Sequence, residues 1–179
     1  MSVRAIIAFC ILLGIVFLAH LFPSRVADYL LPLYMIVAPL VLSRKIKFSF
    51  SLRQIKYAIF ISLVILVPVS FVLSINRSYH LMGASAMLVQ LVRIALPEEI
   101  FFRGFLQEVF GNNVKGIVFV SLLFAAAHIP AFFFYRDVSA LLTFFPSLVM
   151  GFLYMRTSSI LPPVLFHFLA NVVFRGFMI

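Results

Sequence analysis

Glu98, Glu99 and Glu108 are three of the five acidic residues in the chain, and each lies inside or beside a long apolar run. An ionised carboxylate at the centre of a membrane helix costs about 2.5–3.5 kcal/mol on insertion scales, so each requires a compensating role. In a helix Glu98 and Glu99 point about 100° apart, which predicts that they do not both face one small site. Glu99 and Arg103 stand at i,i+4 on one face with the acid N-terminal, the favourable order for an ion pair. The expected division is a self-neutralising Glu99–Arg103 pair that supports the helix and a Glu98 carboxylate left for chemistry. Pro97 lacks the N–H that would bond the Arg93 carbonyl, so the helix is expected to kink or open beside Glu98, where water can enter.

His128 and His167 lie in two further apolar runs, and neither faces lipid cheaply. Asn171 follows His167 by four residues and projects from the same helix face, as Phe124 does with His128. A carboxylate and an imidazole can deprotonate water, while a second imidazole and a side-chain amide donate hydrogen bonds to a developing oxyanion. The inventory Glu98, His128, His167 and Asn171 therefore suits amide hydrolysis. A lone His or Asn in a membrane helix more often makes an interhelical hydrogen bond, so the catalytic reading rests on the combination. Phe124 is either a packing residue or a wall facing substrate. Glu98, His128 and His167 are also an inventory for catalytic Zn²⁺, which takes three protein ligands and keeps a position for water. Against zinc, no HExxH pair occurs, and His167 carries an amide partner as an oxyanion site would want. No cofactor is expected, and zinc stands as the alternative.

The elements that must position these residues are membrane helices. Of the 179 residues, 65% are hydrophobic and 11% charged, against roughly 25% charged in soluble domains. Mean hydropathy is +1.21, and a soluble chain of this size has too little interior for 23 Phe. Apolar stretches recur at about Val3–Phe22, Val26–Leu42, Tyr57–Ile75, Met82–Phe110, Ile117–Tyr135, Ala140–Met155 and Ile160–Ile179, near the ~20 residues a spanning helix needs. The fold expected is an all-α, polytopic membrane bundle of about seven transmembrane helices. The first run exceeds the roughly 7–15 residues of a signal-peptide core, so it reads as a retained span. Gly111–Asn113 and Gly116 mark a turn, while Gly104 and Gly151 suit close helix contacts. His20, His80 and several Tyr near span ends read as interface residues.

The single Cys10 excludes an intramolecular disulfide and a Cys-rich metal site. The net charge of +9 comes from basic residues scattered between apolar runs, the distribution of membrane-flanking residues and not of a nucleic-acid surface. Arg44, Lys45, Lys47, Arg53 and Lys56 crowd one connection, which the positive-inside rule holds in the cytoplasm. Alternation then puts nine basic residues inside and four outside, with Arg93 within a helix, and a cytoplasmic N-terminus.

The segments Glu98–Gly104, Phe124–His128 and His167–Asn171 resemble the EExxxR, FxxxH and HxxxN motifs of the CPBP family, glutamic-type membrane proteases. That family covers CAAX-prenyl endopeptidases and bacteriocin-processing membrane proteases. All three motifs occur in order on three separate helices, and the resemblance spans residues 82–179, a catalytic core of four transmembrane helices. Residues 1–81 would form three N-terminal transmembrane helices outside it. The resemblance implies that Glu98 and His128 activate water, His167 and Asn171 stabilise the oxyanion, and Glu99 with Arg103 supports the site. The family has been described both as metalloprotease and as glutamate-dependent. The implied activity is intramembrane endopeptidase, acting on a membrane-tethered peptide or protein in the bilayer: a prenylated C-terminus, a leader peptide or a sorting anchor. The expected location is a bacterial or archaeal cell membrane. A non-catalytic immunity or scaffold protein of the same fold is one alternative. A proton-coupled transporter is another, although no pair of equivalent broken helices marks an alternating-access site.

Overall fold

The computed structural model describes residues 2–42 and 46–178. Arg44 and Lys45 of the basic connection lie outside the described residues, as does Ile179 at the end of the last expected span. With no water in hydrocarbon to satisfy backbone groups, an apolar chain must bond them within each segment, which favours helices. Seven helical rods result among the described residues. They are α1 (Ser2–Leu21), α2 (Arg25–Leu42), α3 (Leu52–Ser74), α4 (residues 84–110), α5 (Val114–Tyr135), α6 (Ser139–Thr157) and α7 (Leu161–Gly176). They match the seven expected runs, and the chain is a multi-pass membrane protein. The third begins five residues before its apolar stretch because Ser51, in extended conformation, already accepts the Ile55 N–H at 3.0 Å.

Five rods, α1, α2, α3, α5 and α6, are long and apolar enough to cross a bilayer as regular helices. The other two carry Glu98, Glu99, His167 and Asn171. The seventh has 16 residues, about 24 Å at 1.5 Å per residue against a hydrocarbon core of roughly 30 Å. The fourth alternates between windings: Gln90–Ala95 and Ile100–Gln107 form wide π turns, with α-helical Leu96–Glu99 between them. Pro97 sits in that middle segment. The helix therefore runs on through the proline, and the expected opening takes the form of widened turns on either side.

The second wide segment of α4 is buried all round, from Ile100 to Gln107. It lies at the centre of the bundle, with α1, α2, α5, α6 and α7 packed around α4. One hydrophobic cluster joins Phe9 and Leu12 of α1, Met35 of α2, Phe101, Phe102 and Phe105 of α4, Phe124 of α5, Met150 of α6 and Phe166 of α7. Edge-to-face rings link it, Phe101 to Phe102 at 5.4 Å and Phe102 to Phe124 at 4.9 Å between centroids. The N-terminal helices thus share their core with residues 82–178. Of these, α3 packs mainly against α7 and leaves most of its surface exposed.

The connections sort into two ends. At one, Lys47 bonds both oxygens of Glu108 at 3.0 Å, and the Tyr154 hydroxyl donates to Glu108 at 2.8 Å. Ser159 donates to the Ser49 carbonyl at 2.8 Å, strapping the α2–α3 connection to the α6–α7 turn. Glu108, at the end of α4, thus serves as a structural tie. At the other end the His80 N–H donates to the Gly176 carbonyl at 2.8 Å, and the His20 ring lies against Phe134 and Tyr135.

The α4–α5 turn is tight. Gly111 adopts φ +116°, a conformation open to glycine, and the Asn113 side chain caps α5 by accepting the Gly116 N–H at 3.1 Å. A methyl on Gly116 would collide with the Gly111 carbonyl, whereas one on Gly14 would meet nothing within 4 Å. Gly116→Ala is therefore expected to lower the unfolding free energy in detergent by about 1–3 kcal/mol. Gly14→Ala should leave it unchanged or slightly raised, as followed by circular dichroism, and equal stability of the two variants would contradict the close turn.

Candidate active site

Glu99 and Arg103 lie one turn apart on α4 with side chains fully buried, and Arg103 Nε donates to Glu99 Oε2 at 3.0 Å. Removing two charges from water is compensated only when their remaining polar atoms find partners. Three helices supply partners for all of them but Arg103 Nη1. Arg103 Nη2 donates to Ser147 Oγ of α6 at 2.8 Å, and its guanidinium carbon lies 5.5 Å from the Phe124 ring centre on α5, within cation–π range. On α7, His167 Nδ1 lies 2.9 Å from Glu99 Oε1. With Glu99 ionised, Nδ1 carries the proton in that bond.

The opposite edge of the same imidazole faces Glu98, with Nε2 3.7 Å from Glu98 Oε2. Glu98 and Glu99 therefore meet at one site, contrary to the expectation from their divergence on α4. The reason is that the shared partner comes from another helix. An imidazole carries nitrogens on two edges, and the His167 ring entering from α7 addresses one carboxylate with each. The two carboxylates nonetheless differ. Both oxygens of Glu99 are engaged, whereas Glu98 Oε2 is buried without a hydrogen-bond partner. The Glu98 side chain retains 16% exposure against 0% for Glu99, so only Glu98 is open to approach.

His128 joins this group through Phe124. The Phe124 ring centre lies 4.6 Å from that of His128 and 5.9 Å from that of His167, and Phe124 itself is buried. It stands as packing between the imidazoles. His128 Nδ1 lies 2.8 Å from the Phe124 carbonyl one turn back, a bond that only a protonated nitrogen can make, so Nε2 is left as the acceptor. Among the described residues no hydrogen bond or ion pair links His128 to Glu98.

Asn171, one turn beyond His167, donates from Nδ2 to Gln90 Oε1 at 3.1 Å. Gln90 was not singled out in the sequence, although it is a polar residue within the apolar run Met82–Phe110 and stands eight positions before Glu98, two turns along the helix. Ser147 gives no such signal, because serines are common in membrane helices and only its partner distinguishes it.

No three His, Cys, Asp or Glu among the described residues are grouped so as to hold a metal ion. Glu98, His128 and His167 are not grouped as a ligand set in this arrangement.

The architecture and site define a class: a polytopic helix bundle whose centre holds a carboxylate–imidazole–guanidinium network walled off from lipid. Residues 80–173 match the family model of the type II CAAX prenyl endopeptidase Rce1-like proteins, a span that includes Glu98, His128, His167 and Asn171. The match covers more than half of the chain, and the chain belongs to this family, whose members are type II CAAX proteases. No curated protein and no solved structure matches it.

Because Glu99 and Arg103 neutralise each other in a dry interior, removing either leaves a buried charge unpaired. Glu99→Ala and Arg103→Ala are each expected to destabilise the protein in detergent by about 3–5 kcal/mol. The double variant should lose clearly less than the sum of the two. Strict additivity in denaturant unfolding would break the pair.

Proposed function

We propose that the protein is an intramembrane endopeptidase that hydrolyses a peptide bond of a membrane-associated substrate with water activated by Glu98 and His128. The observation that carries this is the contrast between two adjacent carboxylates, Glu99 saturated by Arg103 and His167, and Glu98 with a buried oxygen that has no hydrogen-bond partner. A saturated carboxylate supports. An unsaturated one, on a side chain that keeps some exposure and is set against an imidazole, is suited to take a proton from water.

In the proposed reaction Glu98 accepts a proton from water, with His128 Nε2 as the second acceptor that orients it. The water oxygen adds to the scissile carbonyl, whose π electrons move onto oxygen. Asn171, from its amide N–H, and His167, from Nε2–H when both ring nitrogens are protonated, donate to that oxyanion. Glu99 accepts from His167 Nδ1 and so holds the ring in this orientation. Collapse of the tetrahedral species re-forms the carbonyl and expels the amine, which receives the proton held by Glu98. Atoms balance, with one water consumed and two chain ends formed, and no metal is required.

The substrate proposed is a peptide tethered in the bilayer, with a prenylated C-terminus of the kind the family name specifies as the first candidate. Leader peptides and sorting anchors are the other two classes. The cytoplasmic placement of the N-terminus, from the basic connection around Lys47, Arg53 and Lys56, is part of the same proposal.

Glu98→Gln keeps the side chain's shape and removes the base. In proteoliposomes, cleavage of a farnesylated CAAX peptide is expected to fall to background in this variant, with helix content by circular dichroism unchanged. The wild-type rate should survive 1,10-phenanthroline. Full activity of Glu98→Gln would remove Glu98 from the chemistry. Loss on chelation with recovery on adding Zn²⁺ would replace the metal-free mechanism.

A further inference from the structure

The oxyanion donor Asn171 has a soft terminal torsion. The amide plane of an asparagine turns in a broad, roughly two-fold well, so its own helix does not decide which end faces a substrate. The choice matters because the N–H end stabilises a developing oxyanion while the carbonyl end repels it. In this structure the orientation is set against Gln90. It is 3% exposed, stands at the start of the first wide turn of α4, and presents its carbonyl oxygen Oε1 to Asn171 Nδ2 at 3.1 Å. An oxygen acceptor at that place is satisfied only by the amide nitrogen, which commits one of the two Nδ2 hydrogens and fixes the plane in which the other points.

The same logic governs the residue one turn away. His167 is fixed from α4 by Glu99 as Asn171 is fixed from α4 by Gln90, so both groups that α7 offers are held by the helix that carries Glu98. Donors held before the charge develops need no reorganisation at the moment of reaction. We propose that Gln90 is a positioning residue for the hydrolysis, orienting the Asn171 amide so that its free N–H faces the oxyanion. This rests on the role given to Asn171 above.

The test combines kinetics on the farnesylated peptide with nuclear magnetic resonance of protein labelled with ¹⁵N at asparagine. The Asn171 side-chain amide is identified by its loss in Asn171→Ala. Asn171→Ala should lower kcat on the order of 10²–10³-fold with KM nearly unchanged. Gln90→Met, close in size but without the acceptor, should lower kcat about tenfold, less than loss of the donor itself. It should also shift the Asn171 amide resonances, whereas Gln90→Glu, which keeps an acceptor oxygen, should restore much of kcat. Because Gln90 acts through Asn171, Gln90→Met should cost nothing further in an Asn171→Ala background. A Gln90→Met effect that adds in full to Asn171→Ala, or that leaves the Asn171 resonances unmoved, overturns the proposal. An unchanged kcat in Asn171→Ala alone would instead strike the oxyanion role itself, before Gln90 is altered.

Discussion

A carboxylate buried at the centre of a membrane protein is the constraint on which the rest of this structure depends. Glu99 has no exposure, and its charge is tolerable only because each oxygen meets a donor, one from Arg103 and one from His167. Arg103 in turn reaches Ser147 on α6 and the face of Phe124 on α5. Four helices are thereby fixed relative to one another by groups that have no alternative partner in hydrocarbon. Apolar packing alone would leave their register loose, because lipid tails satisfy a leucine as well as another helix does. The ionic centre supplies the specificity, and the ring of Phe residues around it supplies the dry surroundings in which it is strong.

Much of this was legible in the chain, for reasons that can be separated. Seven spans follow from runs of apolar residues, since the bilayer imposes a length that composition reveals directly. The Glu99–Arg103 pair is a matter of one helix's own periodicity and was foreseen, as was the placement of Glu98, His128, His167 and Asn171 on three different spans. The sharing of one imidazole by Glu98 and Glu99 was not. Helix geometry gives the directions of side chains on α4 but says nothing of a ring arriving from α7, so a 100° divergence looked like separation when it was a cradle. Gln90 was missed for a related reason: its meaning lies in Asn171, 81 residues away. The winding of α4 was half legible. Pro97 announced a disturbance, but whether the backbone kinks or widens is decided by the neighbours that surround Ile100–Gln107.

Most of the site's polar residues sit on the irregular helices, His128 on α5 and Ser147 on α6 being the exceptions. The five rods that would pass as ordinary membrane spans form the shell. Glu98, Glu99, His167 and Asn171 sit on the two that would not, a fourth rod of mixed winding and a seventh of 16 residues. Departures from ideal helix geometry are tolerable in a bilayer where other protein covers them. The N-terminal helices α1 and α2 provide part of that cover, through Phe9, Leu12 and Met35 in the common core. They are integral to the centre of the bundle although the matched family span begins only at residue 80.

The attachment of α3 has a mechanical consequence. Its principal neighbour is α7, and the remainder of its surface is turned to lipid. It is a span braced chiefly from one side. A helix tilts as the hydrocarbon around it thickens or thins, and α3 has chiefly one fulcrum on which to do so. That fulcrum is the helix carrying His167 and Asn171, so a tilt of α3 bears on the placement of those two side chains.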